Sequence, residues 1–338
     1  MNKVTALKVA KRAGVSQSAV SRVFTPGASA SNKTVLKVRE AAQELGYRPN
    51  VLARSLITGK SRIIGLVVAY LDNYFYPAAL EKLSNSLKAQ GYHVLVFMAS
   101  NDDQSTEQVI EELLDYQVDG IITASVGISN DITARCEMAG VPVVLFNRTQ
   151  DRVSHSAVTS DNFLGGETAA RFLCEAKHER ISYIGGWAGA STQRDREAGF
   201  RAGLKKAGIS LFSHALGNFS TDTAKRVTRE MFVGPTKPDA IFVATDHMAF
   251  SVMDVLRSEL ALSIPNDVSV IGYDDVPPAS WAAYNLTTLR QRSNLMVDQT
   301  VRLMLEKIRD PKVTSKHIKI PSPLIIRGSA KVPKGWSI

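Results

Sequence analysis

From Ile63 onward, short apolar runs recur along the chain: IIGLVVA (63–69), HVLVFMA (93–99), DGIITAS (119–125), PVVLFN (142–147), ISYIGG (181–186), AIFVATD (240–246) and VSVIGYDD (268–275). Amphipathic stretches of about 10–15 residues separate most of them, the spacing of strands that alternate with helices. A strand that is apolar at consecutive positions must be covered on both faces, and helices above and below a parallel sheet provide that cover. The rhythm breaks near Thr159–Asn162 and then restarts, which predicts two similar doubly wound α/β subdomains rather than one large sheet. In such sheets ligands sit beyond the carboxyl ends of the strands. Those ends are unusually polar here: Asn101-Asp102-Asp103, Asn147-Arg148, Asp161-Asn162, Asp246 and Asp274-Asp275.

Charge separates the first part of the chain from this pattern. Residues 1–61 carry eleven lysines and arginines against Glu40 and Glu44, while the remaining residues hold thirty of each sign. The whole net charge of +9 therefore belongs to a small, patterned N-terminal segment, which points to a nucleic-acid partner. The full 338 residues, 44% hydrophobic, suffice for two or three domains with a large core. No apolar run reaches the ~18 residues of a membrane span. MNKVTALKVAKRAG, charged at Lys8, Lys11 and Arg12, offers no signal-peptide hydrophobic region, so a cytoplasmic protein is expected. Cys136 and Cys174 fall in expected helices without motif spacing and are read as reduced structural thiols.

Within the basic segment, Thr5 can cap a helix over 6–13 whose Ala6, Val9, Ala10 and Ala13 share one face, and Gly14 ends it. Ser16 then caps a second helix inside VSQSAVSRVF (15–24), a stretch of mediocre helix formers. Its apolar residues Val15, Ala19, Val20, Val23 and Phe24 nevertheless have helical spacing, which leaves short hydrogen-bonding groups, Gln17 and Arg22 on the outer face. Helix, glycine-containing turn, helix is the helix-turn-helix spacing, and such an outer face suits base edges in a major groove. A third helix is expected over 32–45, ending at Gly46. Pro49 blocks its continuation, and Asn50 can cap a short helix, VLARSL, too short to be stable alone. That makes it a candidate hinge. TGKS (58–61) imitates the end of a phosphate-binding loop, but Arg54 stands where that motif needs glycine, so the reading is rejected.

VAKRAGVSQSAVSRVF, YRPNVLARSL, VLFNR, SDNFLGG, RDREAGF, VIGYDD and LTTLRQ together resemble the LacI/GalR family of bacterial transcriptional repressors over nearly the whole chain. The resemblance implies a helix-turn-helix headpiece (1–48), a hinge helix and linker (49–61), and an effector-binding and dimerisation domain of periplasmic-binding-protein type (62–338). It implies a homodimer on a near-palindromic operator, with a sugar or sugar derivative as effector between the subdomains. Carried over by position, Thr5, Ser16, Gln17, Ser18, Ser21, Arg22, Ser31, Thr34, Asn50 and Leu56 are the DNA-binding residues. Arg22 suits guanine, Gln17 suits adenine or a phosphate, and Leu56 matches the leucine that wedges into the minor groove. Arg148, Asp161, Arg196, Asp246 and Asp274 match effector-contacting positions, with Phe75 and Phe219 as aromatic wall. Ala190 replaces an arginine that purine-responsive members use, which disfavours a nucleobase; Arg194 is the nearby substitute. The last residues carry no leucine heptad, so a dimer rather than a tetramer is expected.

Two rival classes fare worse. A periplasmic sugar-binding protein would share the body but not the basic three-helix headpiece. For an enzyme, the six histidines lack metal spacing, and G-x-S-x-G and G-x-G-x-x-G motifs are missing. Asp246-His247 could be imagined as an acid/base pair, but a histidine opening a helix after an aspartate is better read as structural. No cofactor and no metal are expected.

Overall fold

The computed structural model describes residues 4–25, 28–48, 60–69, 71–100, 103–126, 129–150 and 155–337. It divides into two compact units, Met1–Ser61 and Arg62–Ile338. Asn50, Leu56 and the short helix expected over VLARSL lie outside the described residues.

The first unit is a three-helix cluster: α1 (Ala6–Ala13), α2 (Gln17–Val23) and α3 (Asn32–Leu45). Each begins at a side-chain cap, with Thr5, Ser16 and Ser31 accepting from the backbone N–H three residues on. Gly14 and Gly46, both at φ 65°, end α1 and α3 in the left-handed conformation that costs glycine little. Val9, Ala10, Val20, Val38, Ala41 and Ala42 form the buried core.

The second unit contains two six-stranded sheets. The first holds β1 (Ile63–Val68), β2 (His93–Met98), β3 (Gly120–Ala124), β4 (Val143–Phe146), β5 (Ser156–Ser160) and β11 (His317–Ile320), in the order β11-β5-β4-β3-β1-β2. The second holds β6 (Ile181–Gly185), β7 (Ser213–Leu216), β8 (Ala240–Val243), β9 (Ser269–Asp274), β10 (Thr287–Arg290) and β12 (Leu324–Ile325), in the order β12-β10-β9-β8-β6-β7. Every pairing is parallel except β10 with β12. Both sheets thus repeat one doubly wound order, with the switch points between the first strand and the third.

Helices α4 (Phe75–Ala89), α5 (Asp103–Asp115) and α6 (Asn130–Met138) connect the strands of the first sheet. Helices α7 (Asn162–Glu175), α8 (Ser191–Lys206), α9 (Thr221–Met231) and α10 (Asp246–Asp254) serve the second. After β10 the chain returns as α11 (Ser293–Arg309), which packs on α4 and on β4 and β5. The chain therefore crosses between subdomains three times: at β5–α7, at β10–α11 and at β11–β12. The break read near Thr159–Asn162 is the first of these.

Helices α7 and α8 cross at glycines. A Cβ on Gly166 would lie 2.1 Å from the Arg196 carbonyl oxygen, and one on Gly199 would lie 1.9 Å from that of Phe163. The SDNFLGG and RDREAGF stretches are therefore two halves of one close backbone contact. The free cysteines sit inside helices, Cys136 in α6 and Cys174 in α7, and burial pushes both thiols up, Cys136 to about 11. No helix among the described residues is long and apolar enough to cross a membrane.

Candidate functional site

In the first unit, α2 buries Val20 and exposes Gln17, Ser18, Ser21 and Arg22. These positions, i, i+1, i+4 and i+5, fall on one face of a helix. The face offers an amide, two hydroxyls and a guanidinium, the groups that match base edges and phosphates. The hydroxyls of Thr5, Ser16 and Ser31 are engaged as helix caps, with Ser16 Oγ also 2.9 Å from Ser18 Oγ and Ser31 Oγ 2.9 Å from Thr34 Oγ1. The capping role expected of Thr5 and Ser16 is present, and Ser31 shares it. It leaves each hydroxyl a further lone pair or proton, because a hydroxyl is both donor and acceptor.

In the second unit, a narrow cavity of about 20 Å³ lies at the carboxyl ends of the strands. From the first subdomain it is lined by Asn73 and Tyr76 at the start of α4, and by Asn147 and Arg148 just after β4. From the second come Thr192 and Arg196 of α8, Thr245 and His247 at the start of α10, and Asp274 at the end of β9. The half-buried Phe219 and the buried Gln291, which follow β7 and β10, complete the wall, and the exposed Asp72 sits at the rim. Asn147, Phe219 and Asp274 hold φ of 60°, 57° and 137°. Such backbone is costly for non-glycine residues and concentrates at functional sites.

Arg196 is the fixed point of the wall. It is 2% exposed, its Nε donates to Asn162 Oδ1 at 2.8 Å and its Nη1 to the Ala244 carbonyl at 2.5 Å. Its guanidinium lies 3.6 Å from the centre of the Tyr273 ring, and its Nη2 is 4.0 Å from Asp274 Oδ1. Asp274 also accepts from Gln291 Nε2 at 2.6 Å and from Asn73 Nδ2 at 3.2 Å, the latter a bond between the two subdomains. A second such bond runs from the Thr149 N–H to Ser191 Oγ at 2.9 Å. Arg148 lies against the Trp187 ring, 5.6 Å from its centre, again across the cleft.

Behind the wall lies Asp246. Its Oδ1 meets Thr288 Oγ1 at 2.6 Å and its Oδ2 accepts from the Val276 N–H at 3.0 Å. Burial, reinforced by the nearby Asp274 carboxyl, pushes Asp246 up to about 8. Burial raises the neighbouring Asp274 carboxyl as well. Arg196, Gln291 and Asn73 oppose that rise at Asp274 by favouring its charged form.

Among the described residues, the wall also contains buried polar atoms without a partner: Asn147 Oδ1, Thr245 Oγ1 and His247 Nδ1. The His247 Nε2–H donates to the Phe219 carbonyl at 3.0 Å, so in the neutral ring Nδ1 is an acceptor. Groups like these are costly to bury empty-handed and mark a place where a ligand completes the hydrogen bonding. Helix starts carry the same signal. Helices α1, α2, α3, α6, α7 and α9 begin at a side-chain cap, whereas α4, α8, α10 and α11 have none, and the first three of these begin at the cavity.

Of the effector positions expected from the sequence, Arg148, Arg196, Phe219 and Asp274 come together in this wall, and four others do not. Phe75 turns into the core and stacks on Phe146 at 6.1 Å. Asp161 caps α7 by accepting from the Leu164 N–H at 3.2 Å. Arg194, two residues from Arg196 and therefore on another helical face, is exposed and donates to the Gly189 carbonyl. Asp246 stands behind Gly272, where only a residue without a Cβ leaves room for its carboxyl. Asn73, Tyr76, Asn147, Thr192, Thr245 and Gln291 also line the wall, though the sequence does not mark them as ligands, and so does His247, which is expected to be structural. Their common signal is position, immediately after a strand or in the first turn of the next helix. Among the described residues no group of three or more His, Cys, Asp and Glu could hold a metal ion.

Comparison with known proteins supplies the context. Residues 7–50 match the model of bacterial regulatory proteins of the lacI family, and residues 170–330 match a periplasmic binding protein-like domain. The ribose operon repressor of Escherichia coli (strain K12) is 30% identical over 327 residues, covering 95% of this chain and 98% of that protein. The HTH-type transcriptional repressor PurR of Vibrio vulnificus (strain CMCP6) is 28% identical over 326 residues, covering 96% and 97%. Among solved structures, the lac repressor dimer bound to operator and the anti-inducer ONPF superimposes with a TM-score of 0.88 at 26% identity, covering 97% of this chain and 99% of that one. The complex of the transcriptional regulator CelR with cellobiose gives 0.73 at 28% identity, covering 97% and 100%.

Proposed function

This chain belongs to the LacI family of bacterial regulatory proteins, and from that premise we propose that it is a cytoplasmic, dimeric, sequence-specific transcriptional repressor released from its operator by a small sugar-like effector. It is not an enzyme. The observation that carries the reading is the presence in one chain of an exposed hydrogen-bonding α2 face and a buried polar cavity with unpartnered atoms.

The headpiece is residues 1–48, the hinge 49–61 and the effector domain 62–338. In the major groove, Arg22 takes guanine O6/N7 and Gln17 takes adenine or a phosphate, while Ser16, Ser18 and Ser21 contact neighbouring base edges or phosphates. Thr5, Ser31 and Thr34 sit at helix N-termini, which attract phosphates. Asn50 starts the hinge and Leu56 is the minor-groove wedge. In the cavity, Arg148, Arg196 and Asp274 bind hydroxyls and charge on the effector while Phe219 covers its apolar face. An effector that draws the two subdomains together shifts the paired bodies of the dimer, separates the hinges and withdraws the wedge.

A coupling of only ~1–3 kcal/mol changes operator occupancy about 5- to 150-fold, and operator must change effector affinity by the same factor. Calorimetry with a screened effector, in the presence and absence of operator, tests this. Reciprocal weakening supports the reading, and effector affinity indifferent to operator refutes it.

A further inference from the structure

We propose, resting on the reading of the cavity as the effector site, that a closed ring of buried polar contacts fixes the angle between the two subdomains and passes a change in the cavity wall to the chain crossings. Ser160, Asn162 and Gln291 are its positioning residues. Three observations converge on this role.

The first is connectivity. Ser160 Oγ donates to Gln291 Oε1 at 2.8 Å, and Gln291 Nε2 donates to Asp274 Oδ1 at 2.6 Å. Asp274 Oδ1 faces Arg196 Nη2 at 4.0 Å, and Arg196 Nε donates to Asn162 Oδ1 at 2.8 Å. Asn162 Nδ2 then donates to the Ser160 carbonyl at 3.0 Å, so the circuit ends on the residue where it began. All five residues are at most 5% exposed. Both amides use their oxygen and their nitrogen, and neither can turn over without losing two bonds. A half-satisfied buried network is costly, which makes the ring a two-state element rather than an elastic one.

The second is placement. Rotation of one subdomain against the other must be absorbed at the few residues where the chain crosses between them. Ser160 ends β5 and Asn162 opens α7, so they bracket the first crossing. Asp161, between them, donates its N–H at 2.8 Å to the carbonyl of Ile320, the last residue of β11, which fastens the third crossing to the first. Gln291 lies in the second crossing, between β10 and α11.

The third is the far side of the ring. Arg196, Asp274 and Gln291 belong to the described cavity wall. Asp274 holds a φ of 137°, which persists only where the surroundings over-determine it. Gln291 grips it twice, through Nε2 and through its own N–H to the Asp274 carbonyl at 3.0 Å. Asn73, from the first subdomain, reaches the other carboxylate oxygen at 3.2 Å. A ligand group that bonds Asp274 or Arg196 therefore competes with the ring for the same atoms. That competition is the differential interaction a two-state switch requires.

The test measures the angle without any effector. Spin labels on Glu112→Cys in α5 and Lys205→Cys in α8, both exposed positions, report the distance between subdomains once Cys136→Ala and Cys174→Ala remove the native thiols. Dilution into unlabelled protein keeps the measured pairs within one chain. Ser160→Ala cuts the ring and leaves Gln291 on Asp274, Gln291→Met keeps the length without the hydrogen bonds, and a third variant carries both changes. The expected result is one narrow distance with the ring intact, and a shift of roughly 2–5 Å or an about two-fold broader distribution in each variant. The double variant should match the single ones, because a ring cut once is already open. Melting temperatures report whether the variants fold, and Ser160→Ala keeps the comparison usable if Gln291→Met does not.

Unchanged distances in Ser160→Ala and Gln291→Met overturn the proposal. Effects that add in the double variant overturn it too, since they mark separate packing roles. Affinity for duplexes selected from a random pool separates this proposal from the reading it rests on. A changed distance with operator affinity altered about five-fold or more supports both. A changed distance with operator affinity unaltered supports the ring and contradicts the effector switch instead.

Discussion

Replacing Asp246 by asparagine isolates one buried proton. The amide keeps the size of the side chain and an oxygen for the Thr288 hydroxyl or the Val276 N–H, but it cannot ionise. In the folded protein the carboxyl is pushed from 3.8 to about 8, mainly by burial and then by Asp274. Between those values the native state holds a proton that the unfolded chain has released. Wild-type stability from this group therefore falls as pH rises through that window and levels off above about 8. One proton of difference is worth about 1.4 kcal/mol per pH unit, or about 2–3 kcal/mol between pH 5 and 7. Urea denaturation of both proteins at pH 5, 6, 7 and 8 reads the proton held by the linked Asp246–Asp274 pair, while groups remote from it cancel in the difference. The expected result is a stability difference, variant minus wild type, that climbs steadily with pH and flattens near pH 8. A difference constant from pH 5 to 8 would refute the assignment of the proton to the Asp246–Asp274 pair.

Other expectations concern the headpiece and the helix crossing. Arg22→Ala should cost roughly 1–3 kcal/mol on the cognate operator and relax preference at one G·C pair in each half-site, whereas Lys33→Ala should at most weaken all sequences alike; competition mobility shifts distinguish the two. Gly199→Ala forces a Cβ to within 1.9 Å of a backbone oxygen, so α7 and α8 must separate, and denaturation should show a loss of about 1–3 kcal/mol or more with weakened effector binding through displaced Arg196. Arg196→Ala strips Asp274 of its guanidinium and should destabilise the effector domain by about 3–5 kcal/mol, seen as a lowered urea midpoint that added effector cannot restore.

What periodicity can reveal depended on how each strand is buried. The seven apolar runs each contain a strand, β1, β2, β3, β4, β6, β8 and β9, because most of these are covered by helices on both sides and so remain apolar throughout. β5, β7, β10, β11 and β12 escaped notice. β5 (SAVTS) is fully buried yet rich in hydroxyls, which find distant partners: Thr159 with His317 at 2.9 Å and Ser160 with Gln291 at 2.8 Å. β10 (TTLR) is similar, with Thr288 bonded to Asp246. Hydrogen bonds made 40 or more residues away leave no local pattern to read.

The headpiece was the most legible region, since caps, glycine stops and the apolar face all act within a few residues. The cavity was half legible. Charged positions at strand ends stood out, but whether a side chain faces the cleft or the core turns on a rotation of one helical step. That step separates Tyr76 in the wall from Phe75 in the core, and Asp274 in the wall from Asp246 behind it turns on where Gly272 makes room. Neutral wall residues such as Thr192, Thr245 and Gln291 carry no mark beyond their place after a strand.

A repressor of this family reads a specific DNA sequence as a symmetric pair of headpieces. Selection of bound duplexes from a random pool, followed by binding measured at several salt concentrations, tests it most directly. The pool should converge on a near-palindrome with half-sites about one helical turn apart, bound at least ~10³-fold more tightly than scrambled DNA, with affinity falling steeply as salt rises. A pool that fails to converge, with equal affinity for every sequence, would contradict it.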